Sequence, residues 1–469
     1  MWGTAVNARA VGGRNPRNAE LVLLVFALAI AMAAYASVGL ARNGAIPPGM
    51  AGYGAGLGLL FGIAHVALRR FAPDADPVLL PAAALINGLG LAMIHRLDLA
   101  DIDRAQRLGR HTPTPSAPAQ LTWTAVGVVL FIAVLLLVRD HRVLQRFTYT
   151  AMLAGLVLLL LPLMPFIGTT INGARIWIHA AGFSFQPGEL AKLVLLVFYA
   201  GYLVVKRDVL ALASRRVLGV DLPRMRDLGP IIVAWAASLA VLIFERDLGS
   251  SLLFFGVFVA MLYVATERRS WLLIGLVLFF SGSFLAWTLF AHVQQRVDIW
   301  LHPFAARNIS DSSYQLVQGL FGMGSGGLLG KGLGQGRPDI VPFAKTDFIV
   351  AAIGEELGLT GLMALLLVYA IMVQRGLRTA VAVRDSFGKL LAAGLAFSVA
   401  LQVFVVVGGV TRLIPLTGLT MPFLSYGGSS LVANWALIAM LLRISDAARR
   451  PTPPPAPALD QAKTQVVRL

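Results

Sequence analysis

The chain has 469 residues, of which 57% are hydrophobic and 13% charged, and its mean hydropathy is +0.76. Apolar runs of roughly 18 to 24 residues recur along it, which excludes a soluble globular core and predicts an all-α polytopic membrane protein. The formal charge of +16 is spread over short loops between those runs, which excludes a nucleic-acid partner, and the absence of cysteine excludes disulfides and thiolate metal sites.

The first segment, Met1 to Asn18, is polar and carries Arg9, Arg14 and Arg17 ahead of the first apolar run. No small-residue cleavage site follows that run, so it reads as a retained anchor and not a removed signal peptide. Apolar runs begin near Glu20, Ala51, Pro77, Leu121, Phe147, Pro187, Leu228, Ser250, Trp271, Ile349, Phe387 and Pro422, which predicts about twelve spanning helices. An even number places both termini on one side. The Lys/Arg bias, including Arg139/Arg142/Arg146 and Lys206/Arg207/Arg215/Arg216, makes that side cytoplasmic. The stretch from His95 to Gln120 is then an outer loop that departs from the bias through Arg96, Arg104, Arg107 and Arg110. Residues 292–348 form a large extracytoplasmic loop, and the proline-rich segment 445–469 reads as a disordered cytoplasmic tail.

Chemistry has most room where polar sequence interrupts apolar sequence, from Tyr314 to Thr360. This stretch reads as a glycine-rich loop leading through Lys345-Thr346-Asp347-Phe348 into an apolar helix with Glu355 and Glu356. Asp347, at the loop-to-helix junction, is either a helix cap or a carboxylate facing a water-filled cavity. Glu355 and Glu356 point to different faces and need a cation or a cavity at that depth. Lys192 is one such cation. It stands at i,i+3 from Glu189, after Pro187 at a helix start, so the two form a local pair or Lys192 holds an anionic headgroup. Arg175 beside Trp177 marks another outer loop, as an interfacial anchor or as a phosphate and sugar contact. The segment Gly322 to Gly332 fails the phosphate-loop test, because Ser325 and Gly332 stand where a Gly and a Ser/Thr are needed. A close-packed turn remains, with Lys331 in it. Ser425, Ser429 and Ser430, ahead of the final helix, either bond backbone carbonyls or wall a polar cavity.

Several of these motifs, in this order, resemble the SEDS family of RodA and FtsW proteins: Phe185-Gln186-Pro187-Gly188-Glu189-Leu190-Ala191-Lys192, Asp247-Leu248-Gly249-Ser250, Tyr314-Gln315, Thr346-Asp347-Phe348-Ile349, Gly354-Glu355-Glu356-Leu357-Gly358 and Pro422 to Ser430. The resemblance covers about Asp76 to Ile444. It implies a ten-helix glycosyltransferase core over 76–444, preceded by an additional helix pair within 1–75. It further implies a peptidoglycan polymerase that joins lipid II units on the outer face of the plasma membrane, partnered by a class B penicillin-binding protein that cross-links the product. Asp347 matches the family's essential acidic residue. Arg175, Trp177, Glu189, Lys192, Lys331, Lys345, Glu356, Ser425 and Ser429 are the candidate substrate contacts, and a divalent cation, Mg or Mn, is a further candidate for the leaving group. The chain departs from the family at Phe343 and Lys345, where Glu and His are usual, at Glu245-Arg246, where Gln-Pro is common, and at Gly188, where Ser is usual.

On this reading Asp347 takes the proton of an acceptor hydroxyl as it attacks the donor sugar, and a cation stabilises the departing diphosphate. The elongation branch is preferred to the division branch because the tail is short. A lipid II flippase that makes no bond and a scaffold that only recruits the transpeptidase are the competing readings, the former suggested by intramembrane carboxylates.

Overall fold

The computed structural model describes residues 16–450 apart from 166, 172–173, 181–182, 211–212, 218–219, 224–228, 307 and 310. Fourteen α-helices dominate: α1 (Pro16–Asn43), α2 (Met50–Phe71), α3 (Leu79–Arg107), α4 (Ser116–Leu137), α5 (Thr148–Leu160), α6 (Pro187–Leu210), α7 (Gly229–Phe244), α8 (Leu248–Thr266), α9 (Arg269–Leu289), α10 (Ala291–Leu301), α11 (Tyr314–Gly326), α12 (Ile349–Ala382), α13 (Ser386–Val410) and α14 (Gly428–Arg449). Each of the twelve predicted apolar runs is a helix. Eleven helical segments among the described residues are long and apolar enough to cross a membrane. The remaining run, α7, has 16 residues and falls short of the length a bilayer asks for.

Helices α3 and α14 form the centre of the bundle and are buried along most of their length, whereas α9 is largely exposed to the surroundings. Small residues permit that central packing. A methyl group at Gly90 of α3 would sit 2.4 Å from the carbonyl oxygen of Leu424, so only glycine fits there. The first helix is no detached anchor. It lies along α3, where Tyr35 stacks on His95 with ring centroids 4.4 Å apart and Arg42 pairs with Asp103 at 2.5 Å.

Three expectations change. Tyr314–Gly326, read as loop, is helix α11: Gly319, Gly322 and Gly326 share one face, and this face packs against α12 near Phe348, Glu355 and Gly354. The supposed outer loop from His95 is helical to Arg107, and Arg96 is buried within the bundle, so it carries no topological charge bias. Helix α14 extends to Arg449 with Ser445 and Asp446 fully buried, so residues 445–449 are not tail; 451–469 lie outside the described residues.

Opposite the Asp347 end, a closed set of ion pairs fastens α1, α2, α3 and α14. Arg17 bonds Glu20 and the carbonyls of Pro73 and Ala75, His65 Nδ1 lies 2.7 Å from Glu20, and Arg449 pairs with Asp76. Asp446 accepts the Asp74 N–H at 2.9 Å.

Candidate active site

Helix α12 breaks at Gly358, where φ is 69° and ψ is −170°. The break follows from crowding: the backbone of Gly330 and Leu328 passes so close that a side chain at Gly358 would overlap it. Across the break Leu359 N–H donates to the Gly327 carbonyl at 2.9 Å and Thr360 N–H to Leu328 at 3.0 Å. Only the second half of the glycine-rich segment, residues 327–332, is the expected close-packed turn against α12; Gly322 to Gly326 belong to helix α11.

Glu355 and Glu356 anchor that turn from different faces. Glu355 Oε1 accepts Lys331 Nζ at 3.1 Å and Arg337 N–H at 2.7 Å. Glu356, fully buried, accepts Arg96 Nε at 2.7 Å and Gly334 N–H at 2.9 Å, and Arg96 Nη2 donates to the Gly336 carbonyl at 2.7 Å. Helix α1 closes this region from outside: a methyl at Gly334, where φ is 87°, would stand 2.9 Å from Ala41 Cβ.

Asp347 sits just ahead of α12, half-buried, and its backbone is gripped from the segment before α14. Ser425 Oγ donates to the Thr346 carbonyl, and Tyr426 N–H donates to the Lys345 carbonyl at 2.7 Å. Ser425 is in turn held by Gln120, whose Nε2 donates to its carbonyl at 3.0 Å. The Asp347 carboxylate receives Thr346 Oγ1 at 3.0 Å and a long contact from Gln315 Nε2 at 3.5 Å. Burial pushes its pKa above the usual carboxylate value, against the opposing pull of Thr346, of its own backbone N–H, of Gln315 and of Arg296. A carboxylate with an exposed edge, whose pKa burial raises, is a better proton acceptor than an ordinary surface aspartate.

Asp247 and Arg296 share this neighbourhood. Asp247 caps α8, accepting the N–H groups of Gly249 and Ser250 at 2.9 and 3.1 Å and the Ser250 hydroxyl at 2.6 Å; burial raises its pKa and those bonds oppose the rise. Arg296, on the short helix α10, donates through Nη1 to the Leu416 carbonyl at 2.6 Å. Burial lowers its pKa, while Asp247 and Asp347 both act to raise it. Next to Asp247, burial and the Asp247 charge push Glu245 up to about 8.

Most of the expected substrate contacts are tied to protein partners. Arg175 lies in a three-stranded sheet, β1 (Gly168–Ile171), β2 (Ala174–Ala180) and β3 (Phe183–Phe185), instead of the expected loop. Its guanidinium donates to the carbonyls of Pro162 and Met164 at 3.0 and 3.2 Å, and its N–H to Glu245. Trp177 stands in β2 opposite Thr169. Lys192 and Glu189 form the anticipated i,i+3 pair at 3.0 Å, both buried, and Lys192 also reaches Gln402 at 2.9 Å. Lys345 pairs with Asp98 at 2.7 Å and Asp101 at 2.6 Å; burial depresses its pKa, but those carboxylates outweigh it and the net shift is upward. Ser429 accepts the Gln186 N–H at 2.8 Å.

Sequence reasoning passed over Arg296 and the role of Gln315 beside Asp347. Asp98, the partner of Lys345, also accepts the Ala117 N–H at 2.7 Å. Among the described residues no group of three or more His, Asp or Glu side chains converges, and a Mg or Mn ion shared between one or two carboxylates and the substrate's own phosphates would not require one. No step is assigned to one.

Comparison with known proteins places this arrangement in a family. The FtsW/RodA/SpoVE family, described as cell cycle protein, matches residues 77–450. The peptidoglycan glycosyltransferase RodA of Mycobacterium tuberculosis (strain ATCC 25618 / H37Rv) is 54% identical over 436 residues, 93% of this chain and 92% of that protein. A probable peptidoglycan glycosyltransferase FtsW of Geobacter sp. (strain M18) is 36% identical over 65% of this chain and 80% of its own length. A solved chain from work on structural coordination of polymerization and crosslinking by a peptidoglycan synthase complex superposes with a TM-score of 0.62 at 25% identity, covering 80% of this chain and 99% of its own. The chain belongs to the FtsW/RodA/SpoVE family of cell cycle proteins.

Proposed function

We propose that Asp347 is the general base of a lipid II polymerase that works on the extracytoplasmic face of the plasma membrane. The chain is a peptidoglycan glycosyltransferase, as are relatives that match nearly all of it. The acceptor sugar hydroxyl attacks C1 of the lipid-linked donor, a β-1,4 bond forms with inversion, the proton passes to Asp347, and undecaprenyl diphosphate departs. The observation that carries this assignment is the state of the carboxylate. Asp347 is half-buried, bonded by neutral donors, and positioned by the two residues before it, whose carbonyls accept from Ser425 and Tyr426, whereas the deeper acids of α12 are engaged by Lys331, Arg337, Arg96 and Gly334.

The same pairing argues against a flippase. Intramembrane carboxylates suggested transport, but Glu189 and Glu356 are locked to Lys192 and Arg96 and form structural ties. We read the termini as cytoplasmic from the Lys/Arg bias alone, which Arg96 no longer weakens, since the eleven full-length helices do not by themselves give an even number of crossings. The greater identity to proteins named RodA than to those named FtsW supports a role in elongation. The neighbouring synthase complex supports a transpeptidase partner, a class B penicillin-binding protein.

The test is polymerisation of purified lipid II by the full chain with its partner. Asp347→Asn should reduce glycan formation by roughly 10² to 10⁴, the contribution of a general base. Its unfolding midpoint should stay at the parent's value. Near-normal chain formation would reject the assignment, and transbilayer movement of lipid II without polymer would favour the flippase.

A further inference from the structure

A departing diphosphate needs a cation, and the side-chain cations the sequence suggested are each bonded to protein groups. Arg175 is bonded to two carbonyls, Lys192 to Glu189 and Gln402, Lys331 to Glu355, and Lys345 to Asp98 and Asp101. Arg296 differs from all of these. It is half-buried, and among the described residues its one hydrogen bond goes from Nη1 to the Leu416 carbonyl at 2.6 Å and it makes no ion pair with a carboxylate. It nevertheless lies within electrostatic reach of both Asp247 and Asp347. Asp247 cannot readily turn to it, because both its oxygens already accept donors at the start of α8.

The Leu416 bond belongs to a rigid setting. Arg412 donates to the carbonyls of Trp300 and Leu301, and Trp300 Nε1 donates back to Arg412, so the end of α10 is fastened to the segment after α13. That same segment continues to Ser425 and Tyr426, which hold the residues before Asp347. One end of the guanidinium is fixed and the other donors of its planar fork are uncommitted, in the form suited to bidentate phosphate recognition.

We propose that Arg296 binds the diphosphate of the lipid-linked donor and takes up the charge of the leaving group. The inference rests on Asp347 being the base. As the acceptor oxygen bonds to the donor C1, the bond between C1 and the phosphate oxygen breaks, its electron pair stays on the diphosphate beside Arg296, and the acceptor proton moves to Asp347. Charge and proton thus separate toward opposite groups of one site.

Arg296→Gln and Arg296→Lys in the full chain with its partner test this, read by lipid II polymerisation and by binding of inorganic pyrophosphate to the purified protein. Arg296→Gln should lower kcat by about 10² to 10³, the loss seen when one charge-stabilising donor is removed, and weaken pyrophosphate binding at least tenfold. Arg296→Lys keeps the charge and a donor for Leu416 without the fork, and should fall between the two on both measurements. Asp347→Asn should lose turnover and keep pyrophosphate binding. If Arg296→Gln binds pyrophosphate as the parent does, Arg296 is not the diphosphate residue. If Arg296→Gln fails to fold, Arg296→Lys decides, and parent-like kcat and pyrophosphate binding there overturn the proposal. An active Asp347→Asn would overturn the base assignment while leaving the binding result for Arg296 readable.

Discussion

Asp347 and Glu356 bracket the first section of α12, both near an arginine and both touching loops, yet they are in opposite conditions. Glu356 is fully buried, with Arg96 Nε and Gly334 N–H on its two oxygens. Arg96 spends two of its three nitrogens on Glu356 and the Gly336 carbonyl, and only Nη1, sealed from solvent, is without a partner. Asp347 keeps an exposed edge and only neutral donors, Thr346, Gln315 and its own backbone N–H, and Arg296, which acts on its charge, is not bonded to it. Residue type and depth do not separate these acids; bonding state does. A carboxylate whose valences are filled holds backbone in place, and one left open can exchange a proton.

The largest effect that would break this comparison is on turnover. Asp347→Asn removes the proton acceptor and should cost roughly 10² to 10⁴ in rate. Because burial penalises the Asp347 charge, the neutral amide should leave stability level or slightly raised. Glu356→Ala should show the reverse emphasis. It strands Arg96 inside the bundle, and breaking one half of a buried pair destabilises by about 3 to 5 kcal/mol. The double replacement Arg96→Met with Glu356→Leu removes the stranded charge and should recover most of that loss, as read from unfolding midpoints in detergent. A Glu356→Ala protein that unfolds like the parent but makes no polymer would move Glu356 into the reaction and erase the contrast.

A smaller effect probes what braces the Glu356 side. Gly334 donates to Glu356 with a left-handed backbone and lies against Val38 and Ala41 of α1. Gly334→Val should cost about 1 to 3 kcal/mol by overpacking, with part of the loss appearing as reduced polymerisation because the turn also carries the Arg96 contact. Unchanged stability would mean that α1 does not press on the turn. The N-terminal helix pair lies outside the residues matched by the family, yet it packs on a loop that the family shares.

What could be read from the chain follows the range of the interaction. Spans follow from hydropathy, and the Glu189–Lys192 pair from i,i+3 spacing, because both are local. The position of Asp347 ahead of an apolar run was visible for the same reason. Arg96 with Glu356 was not, since 260 residues separate them and the arginine looked like a loop charge. Arg296 was hidden in the same way: its relation to Asp347 arises only when α10 is fastened to the segment after α13. Helix α11 was misread because its glycines were weighed as turn formers, although 319, 322 and 326 fall on one helical face for close packing.

The smallest expected effect is a slope with pH, and it tests whether openness marks the whole Asp347 side. Glu245 is buried, its carboxyl has no hydrogen-bond partner among the described residues, and burial with the nearby Asp247 pushes it up to about 8. Between the ordinary value of 4.5 and about 8 the folded chain therefore keeps a proton that the unfolded chain has released. More protons on the folded state mean that stability falls as pH rises through that window: the contribution is fully present below it and lost above it. One fully shifted group gives a slope of at most about 1.4 kcal/mol per pH unit. Glu245→Gln is neutral throughout and should remove this component. The variant should gain on the parent in unfolding midpoint from pH 6 to pH 8, while Asp347, also raised, contributes equally to both proteins and cancels in the difference. Parallel curves for the two proteins would mean that Glu245 is already ionised and partnered, and that the Asp347 side is no more open than the Glu356 side.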